Sequence, residues 1–168
     1  DAVTVSPYMG SDSVGPFFFF FEEHGGGVYV LNRTSNPGAQ ELQNLKTADG
    51  KPLYLHVAEK IVGWNQDYGT AGAVVGATSP QELQELAEVY GRHSVPLLIP
   101  GVGGQGGSAS ETIEILERSR YPVQLARVNS SSGITHPWMK QKASIPADWP
   151  AVVVDNLRAL NKELGNGK

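Results

Sequence analysis

The chain has 168 residues, 40% of them hydrophobic and 18% charged, so it can bury a core and is too apolar to stay disordered. Its 13 Lys and Arg against 17 Asp and Glu give a formal charge of -4, which argues against a nucleic-acid or membrane-surface binder with a basic face. With no Cys there is no disulfide framework, thiolate nucleophile or Cys-ligated metal, and no apolar run approaches the ~18 residues of a membrane span.

In chain order, Ala2–Ser6 reads as a strand. A helix follows Ser11-Asp12-Ser13, with Ser or Asp as its cap, and runs through Phe17–Phe21 to Glu23 before Gly25-Gly26-Gly27. By composition the five Phe also suit a buried strand, or an apolar surface meant for a partner. Val28–Asn32 is the second strand, and Ala39–Leu45 and Tyr54–Trp64 are helices, the latter with Leu55, Ala58, Ile61 and Val62 on one face. Ala73–Ala77 is the third strand. Thr78-Ser79-Pro80 caps a helix over Gln81–Tyr90, with Ser79 as N-cap, Pro80 in the first turn and Glu82 at N3. Leu97–Ile99, helix Ser110–Arg118 and strand Val123–Val128 follow. Residues 129–149 read as irregular, and Pro150–Leu164 is a last helix with Val153, Leu157 and Leu160 on one side.

Five strands, each followed by a helix, make a parallel α/β domain at roughly 30 residues per unit. Two architectures fit: an open doubly wound sheet, or an eight-unit barrel of typically ~250 residues, of which this length holds about five units. Chemistry in either fold sits past the carboxyl ends of the strands. There the sequence places Arg33-Thr34-Ser35-Asn36-Pro37-Gly38, Pro100-Gly101-Val102-Gly103-Gly104-Gln105-Gly106-Gly107 and Asn129-Ser130-Ser131-Ser132-Gly133-Ile134. Glycine-rich backbone can approach an anion closely, and Gln105 offers both a donor and an acceptor. By itself, a glycine run serves equally well as a tight turn.

Four segments together carry more. DAVTVSPYMGSDSVGPF (1–17), VLNRTSNPGAQELQNL (30–45), GAVVGATSPQEL (72–83) and PLLIPGVGGQGG (96–107) resemble orotidine 5′-phosphate decarboxylases, in order and at family-like spacing. The resemblance implies an α/β fold that is a partial (β/α)8 TIM-type barrel, these five parallel strands being strands four to eight. It implies one domain over 1–168, the carboxyl-terminal part of a barrel. It also implies a cofactor-free conversion of orotidine monophosphate to UMP and carbon dioxide. Residue by residue, Ser35 matches the serine that hydrogen-bonds the pyrimidine. Pro100 and Val102 match the start of the loop that closes over the nucleotide. Gln105 matches the glutamine that bridges phosphate and base, and Ser131 and Ser132 occupy the phosphate position after the last strand.

Two departures qualify this. Where the family usually reads N-[SA]-S-R-G-I, with an Arg gripping phosphate bidentately, this chain has Ser132. Losing such a buried charge-assisted contact costs on the order of 2–5 kcal/mol, unless Arg127, His136 or Lys140 substitutes. The family's Asp-x-Lys-x-x-Asp motif, whose Lys protonates the ring carbon as carbon dioxide leaves, does not occur here. The chain alone is therefore expected to hold no catalytic residue. It begins with Asp and no leader, and is expected to be a processed product or an excerpt.

His24, His56, His93 and His136 show no metal-binding spacing, no G-x-S-x-G elbow occurs, and Trp64, Trp138 and Trp149 suit packing. No metal or cofactor is expected. The expected partners are a pyrimidine nucleotide, an N-terminal half or another chain that completes the barrel, and a second subunit, as homodimer or larger complex. A half-barrel exposes edges and an inner face that seek cover, so the alternative is a catalytically inactive half-barrel serving as an assembly subunit. Pyrimidine synthesis implies a cytoplasmic location, an organellar one also being compatible.

Overall fold

The computed structural model describes residues 1–165, without the side chains of Lys140 and Gln141. Five strands, β1 (Ala2–Val5), β2 (Gly27–Arg33), β3 (Ala71–Val75), β4 (Leu97–Pro100) and β5 (Ala126–Asn129), form one sheet. They lie in the order β1-β2-β3-β4-β5, each paired in parallel with the next. That order decides between the two architectures. A doubly wound sheet reverses direction at a switch point, so some consecutive strands are not neighbours. Here every crossover steps the same way, and right-handed crossovers then put all the helices on one face, as in a (β/α)8 wall. The sheet is a curled half-barrel.

Alternation along the strands sends Val28, Val30, Ala73, Val75, Leu97 and Ile99 to the helical side, all buried. They share one apolar cluster with Ala58 and Ile61 of α3 (Leu53–Tyr68) and with Leu83, Leu86, Ala87 and Tyr90 of α4 (Pro80–Arg92). Those four α4 positions fall at helical spacing, as the sequence predicts. On the opposite face Tyr29, Leu31 and Leu98 are only partly buried. No helix among the described residues is long and apolar enough to cross a membrane.

The Phe run is helical: α1 spans Ser11–His24. Gly10, rather than Ser or Asp, occupies the N-cap position, and Ser11 and Asp12 already belong to the first turn. Phe18 alone of the five is fully buried, stacked on Tyr68 (5.4 Å between ring centres) and tilted against Trp64 (5.6 Å). Phe17, Phe19 and Phe20 are 41%, 60% and 54% exposed.

Other elements shift for physical reasons. α2 spans only Ala39–Leu42, because the Gln43 and Leu45 carbonyls accept the Tyr54 and Leu53 amides at the start of α3 (3.0 and 2.8 Å). On α3 the buried stripe is Tyr54, Ala58, Ile61 and Trp64, leaving Leu55 and Val62 half-buried. β3 begins at Ala71 and is buried at all five positions. β5 begins at Ala126, since the Leu125 amide bonds back to the Pro122 carbonyl (2.8 Å) and turns Val123–Leu125 into a 3-10 segment. After α5 (Ala109–Arg118), the segment read as irregular holds one short turn of helix, α6 (Ser132–Thr135), and a 3-10 segment over Pro137–Gln141. The last helix, α7 (Trp149–Glu163), has no buried residue: Val153 and Leu160 are half-buried and Leu157 is exposed.

The unequal Phe residues give a direct check. Phe18→Ala should lower the unfolding free energy by about 3–5 kcal/mol in a denaturant titration, from lost packing and the cavity left behind. Phe20→Ser, on the solvent side, should change it by less than about 1 kcal/mol.

Candidate functional site

The site is built where four loops meet past the carboxyl ends of β2, β3, β4 and β5. Near the end of β2 the register slips: Leu31 pairs with Val74 but Arg33 with Val75, so two steps on β2 face one on β3. Such a bulge bends the strand and re-aims its side chains. Asn32 and Arg33 are consequently both buried, although alternation would have exposed one of them to the inner face. The Asn32 amide donates to the Tyr90 hydroxyl (2.7 Å). The Gly76 amide donates to the Arg33 carbonyl (2.7 Å) and carries the pairing past the formal end of the strands.

Ser35, half-buried, lies directly above Gly76: a Cβ at Gly76 would stand 2.7 Å from both Cα and Cβ of Ser35. Gly101, at φ +94°, approaches from β4; a Cβ there would be 2.8 Å from Ser35 Cβ and 3.1 Å from Gln105 Oε1. Two positions without side chains thus let Ser35 and Gln105 converge. They border one cleft of about 340 Å³ together with Arg33, Asn36, Gln40 and Thr78. Gln105 also borders a second cleft, of about 100 Å³, with Pro100, Val102, Ser131 and Ser132. All six residues singled out from the sequence therefore lie on two adjoining clefts that share Gln105.

The glycine loop is closed on itself. Gly107 N–H bonds to the Gly101 carbonyl (3.0 Å), Gly103 to Gly107 (2.8 Å), Gly104 to Val102 (2.9 Å) and Gly106 to Gly103 (3.2 Å). Val102 is buried, and its carbonyl accepts the Ser130 hydroxyl (2.9 Å), which ties the β4 loop to the β5 loop. Pro100 pairs with Asn129 across β4 and β5. Ser131 and Ser132 open α6 with their side chains exposed, the Ser132 hydroxyl packed against Gly104.

No charged residue lines the smaller cleft among the described residues. Arg127 points elsewhere, donating to the Gln124 and Ala126 carbonyls (2.8 and 3.0 Å) beside a different cavity. His136 Nδ1 pairs with the Thr135 hydroxyl (2.8 Å), and its ring sits edge-on to Trp138. The Lys140 side chain lies outside the described atoms. Among the described residues neither cleft is lined by a Lys or an Asp. The groups with displaced pKa values also stand away from both clefts. Burial raises Tyr54, Tyr90 and Tyr121, and the Thr47 hydroxyl, with the Lys51 amide, holds Asp49 down at about 2.

Sequence reasoning passed over Arg33, although a charge ending an otherwise apolar strand was there to be seen. It is 2% exposed; Nη1 donates to the Thr34 carbonyl (2.7 Å), Nη2 to Ser79 Oγ (2.9 Å), and Glu82 stands 3.6 Å away. The Ser79 hydroxyl and Glu82 carboxylate expected to cap α4 are turned to this guanidinium instead, and Ser79 makes no side-chain cap. Thr78, read only as part of the cap, donates to the Ser35 carbonyl (3.0 Å).

A parallel sheet of monotonic order, with its polar residues gathered on the loops past the strands' carboxyl ends, has the functional layout of the (β/α)8-barrel enzymes. Residues 1–120 match the family described as orotidine 5′-phosphate decarboxylase / HUMPS, and the chain belongs to that family. It is 47% identical over 136 residues to the orotidine 5′-phosphate decarboxylase of Halorubrum lacusprofundi, covering 80% of this chain and 47% of that protein. It is 44% identical over 160 residues to that of Bordetella pertussis, covering 95% of this chain and 54% of the other. Among solved structures, the OMP decarboxylase of Leishmania donovani superposes with a TM-score of 0.71 at 31% identity, over 98% of this chain and 57% of that one. The chain thus spans about half the length of these relatives.

The two interlocking glycines differ from one on a helix surface. Gly76→Ala should destabilise by about 1–3 kcal/mol, because the loop bearing Ser35 must move. Gly15→Ala, where a Cβ meets nothing within 4 Å inside α1, should stabilise by up to about 1 kcal/mol. Thermal or denaturant unfolding of the two variants checks both signs.

Proposed function

We propose that this chain provides the nucleotide-binding loops of an orotidine 5′-monophosphate decarboxylase, which converts that nucleotide to UMP and carbon dioxide without a cofactor. The carrying observation is the convergence of Ser35 and Gln105 on one cleft, with Gln105 continuing into the second, beside Ser131 and Ser132. In this reading the larger cleft takes the pyrimidine and the smaller one the phosphate. The Ser35 hydroxyl bonds the ring, and the Gln105 amide spans base and phosphate, supplying a donor to one and an acceptor to the other. The Ser131 and Ser132 hydroxyls face the phosphate. The Gly103, Gly104, Gly106 and Gly107 amides are engaged inside their loop, so in this reading the phosphate relies chiefly on side-chain groups. Pro100 and Val102 fix the root of the covering loop.

The bond between the ring carbon and the carboxylate breaks, and its electron pair must receive a proton. No Asp-x-Lys-x-x-Asp motif occurs in the chain, so we assign the proton donor to the part of the protein that corresponds to the other half of the relatives' length. The same part, or another chain, would close the half-barrel along β1 and β5, as edges and inner face demand. A homodimer in the cytoplasm completes the proposal. The rival reading, an inactive half-barrel used in assembly, draws on Ser132 and on the exposed Phe17, Phe19 and Phe20.

Calorimetric titration of the full-length protein with UMP separates the two. Saturable binding supports the enzyme reading, and the absence of binding overturns it. Because no charged residue lines the smaller cleft among the described residues, Ser132→Arg should tighten UMP by about tenfold or more, the worth of one charge-assisted contact, and leave uridine unchanged. An unchanged UMP affinity would show that another cation already fills that place.

A further inference from the structure

The Arg33 side chain is a poor stabilising device. It is a buried ion whose carboxylate partner stands at 3.6 Å, and its Nε has no hydrogen-bond partner among the described residues. Such groups rarely add net stability over an apolar side chain of similar volume. What the guanidinium does achieve is geometric. It holds the Thr34 carbonyl, and hence the peptide plane on the amino side of Ser35. The Thr78 hydroxyl holds the Ser35 carbonyl, and hence the plane on the other side. With both planes fixed, the backbone angles of Ser35 are set, and with them the direction of its Cα–Cβ bond.

Both anchors are tied to the start of α4, Thr78 by its place in the chain and Arg33, from the end of β2, by its partners. Thr78 and Ser79 precede the helix, and Glu82, in its first turn, faces the guanidinium while accepting the Asn44 amide (3.2 Å). Gln43 adds a second brace, accepting the Thr34 amide (2.9 Å) and donating to its hydroxyl (2.8 Å). The turn is thus held from two helices, and its floor is Gly76.

We propose that Arg33 is the positioning residue for Ser35: the buried Arg33–Ser79–Glu82 clamp aims the Ser35 hydroxyl at the base of a bound pyrimidine nucleotide. This rests on the nucleotide reading above. Arg33 borders the same cleft, but at 2% exposure and with Nη1 and Nη2 engaged by Thr34 and Ser79 it acts in this scheme through the serine. A Lys at this position keeps the charge but cannot span the Thr34 carbonyl and the Ser79 hydroxyl with one planar fork.

A double-mutant cycle in the full-length protein tests it, with UMP and ribose 5-phosphate as the two probes. Arg33→Lys and Ser35→Ala should each weaken UMP about tenfold, the worth of one well-aimed hydrogen bond, and the double variant should bind no worse than Ser35→Ala. Ribose 5-phosphate, which lacks the base, should bind all four proteins equally, a result that a loss of folded protein would not give. Additive losses, or an equal loss for ribose 5-phosphate, would overturn the proposal. If Arg33→Lys does not fold, Ser79→Ala replaces it in the cycle with the same expectations. Wild-type protein that binds no UMP would defeat the nucleotide reading and this proposal together. UMP binding that Ser35→Ala leaves intact would defeat the positioning role and leave the family's nucleotide pocket standing.

Discussion

The slipped register between β2 and β3 is the constraint on which the site depends. In an unbroken ladder, Asn32 and Arg33 would point to opposite faces. The extra step in β2 lets the sheet bury both, Asn32 against Tyr90 and Arg33 against Ser79, and lifts the following turn over Gly76. Ser35 and Gln105 both approach Gly101, which offers no side chain to keep them apart.

Packing and site are divided between the two ends of the same strands. Their middles carry small and β-branched residues against α3 and α4, a layer that tolerates little change in volume. Their carboxyl ends carry hydroxyls, amides and glycines, which contribute little burial and much geometry. Barrel-type proteins separate stability from chemistry in this way. Helix α4 belongs to both regions: Leu83, Leu86 and Tyr90 lie in the core, while Thr78, Ser79 and Glu82 at its start brace the loop of Ser35.

The strands and most helices were legible because each is written in one short period. Leu83, Leu86, Ala87 and Tyr90 repeat at helical spacing, and the apolar runs of β3 and β4 end in Gly76 and Pro100. The choice of barrel over open sheet was not written there, since strand order depends on contacts far apart in sequence; the resemblance supplied it, and the observed order agrees. Local rules failed where a distant group outbid a near one. Ser79 and Glu82 have capping spacing but face Arg33 from β2, more than forty residues away. Gln43 continues a helical pattern, yet its amide turns back to Thr34 and its carbonyl goes to α3. Ser35 and Gln105 were singled out by their motifs and the structure brings them to one cleft, whereas the part Thr78 and Arg33 play in holding that turn shows in the hydrogen bonds they make.

The glycine loop between β4 and α5 has a last consequence. Chains rich in glycine lose more freedom on ordering than any other kind, which would ordinarily weaken association with whatever orders them. This loop has met that entropic cost beforehand, through its four internal amide bonds and the Ser130 tether. Within the loop, the exposed Gln105 side chain is left outside those bonds.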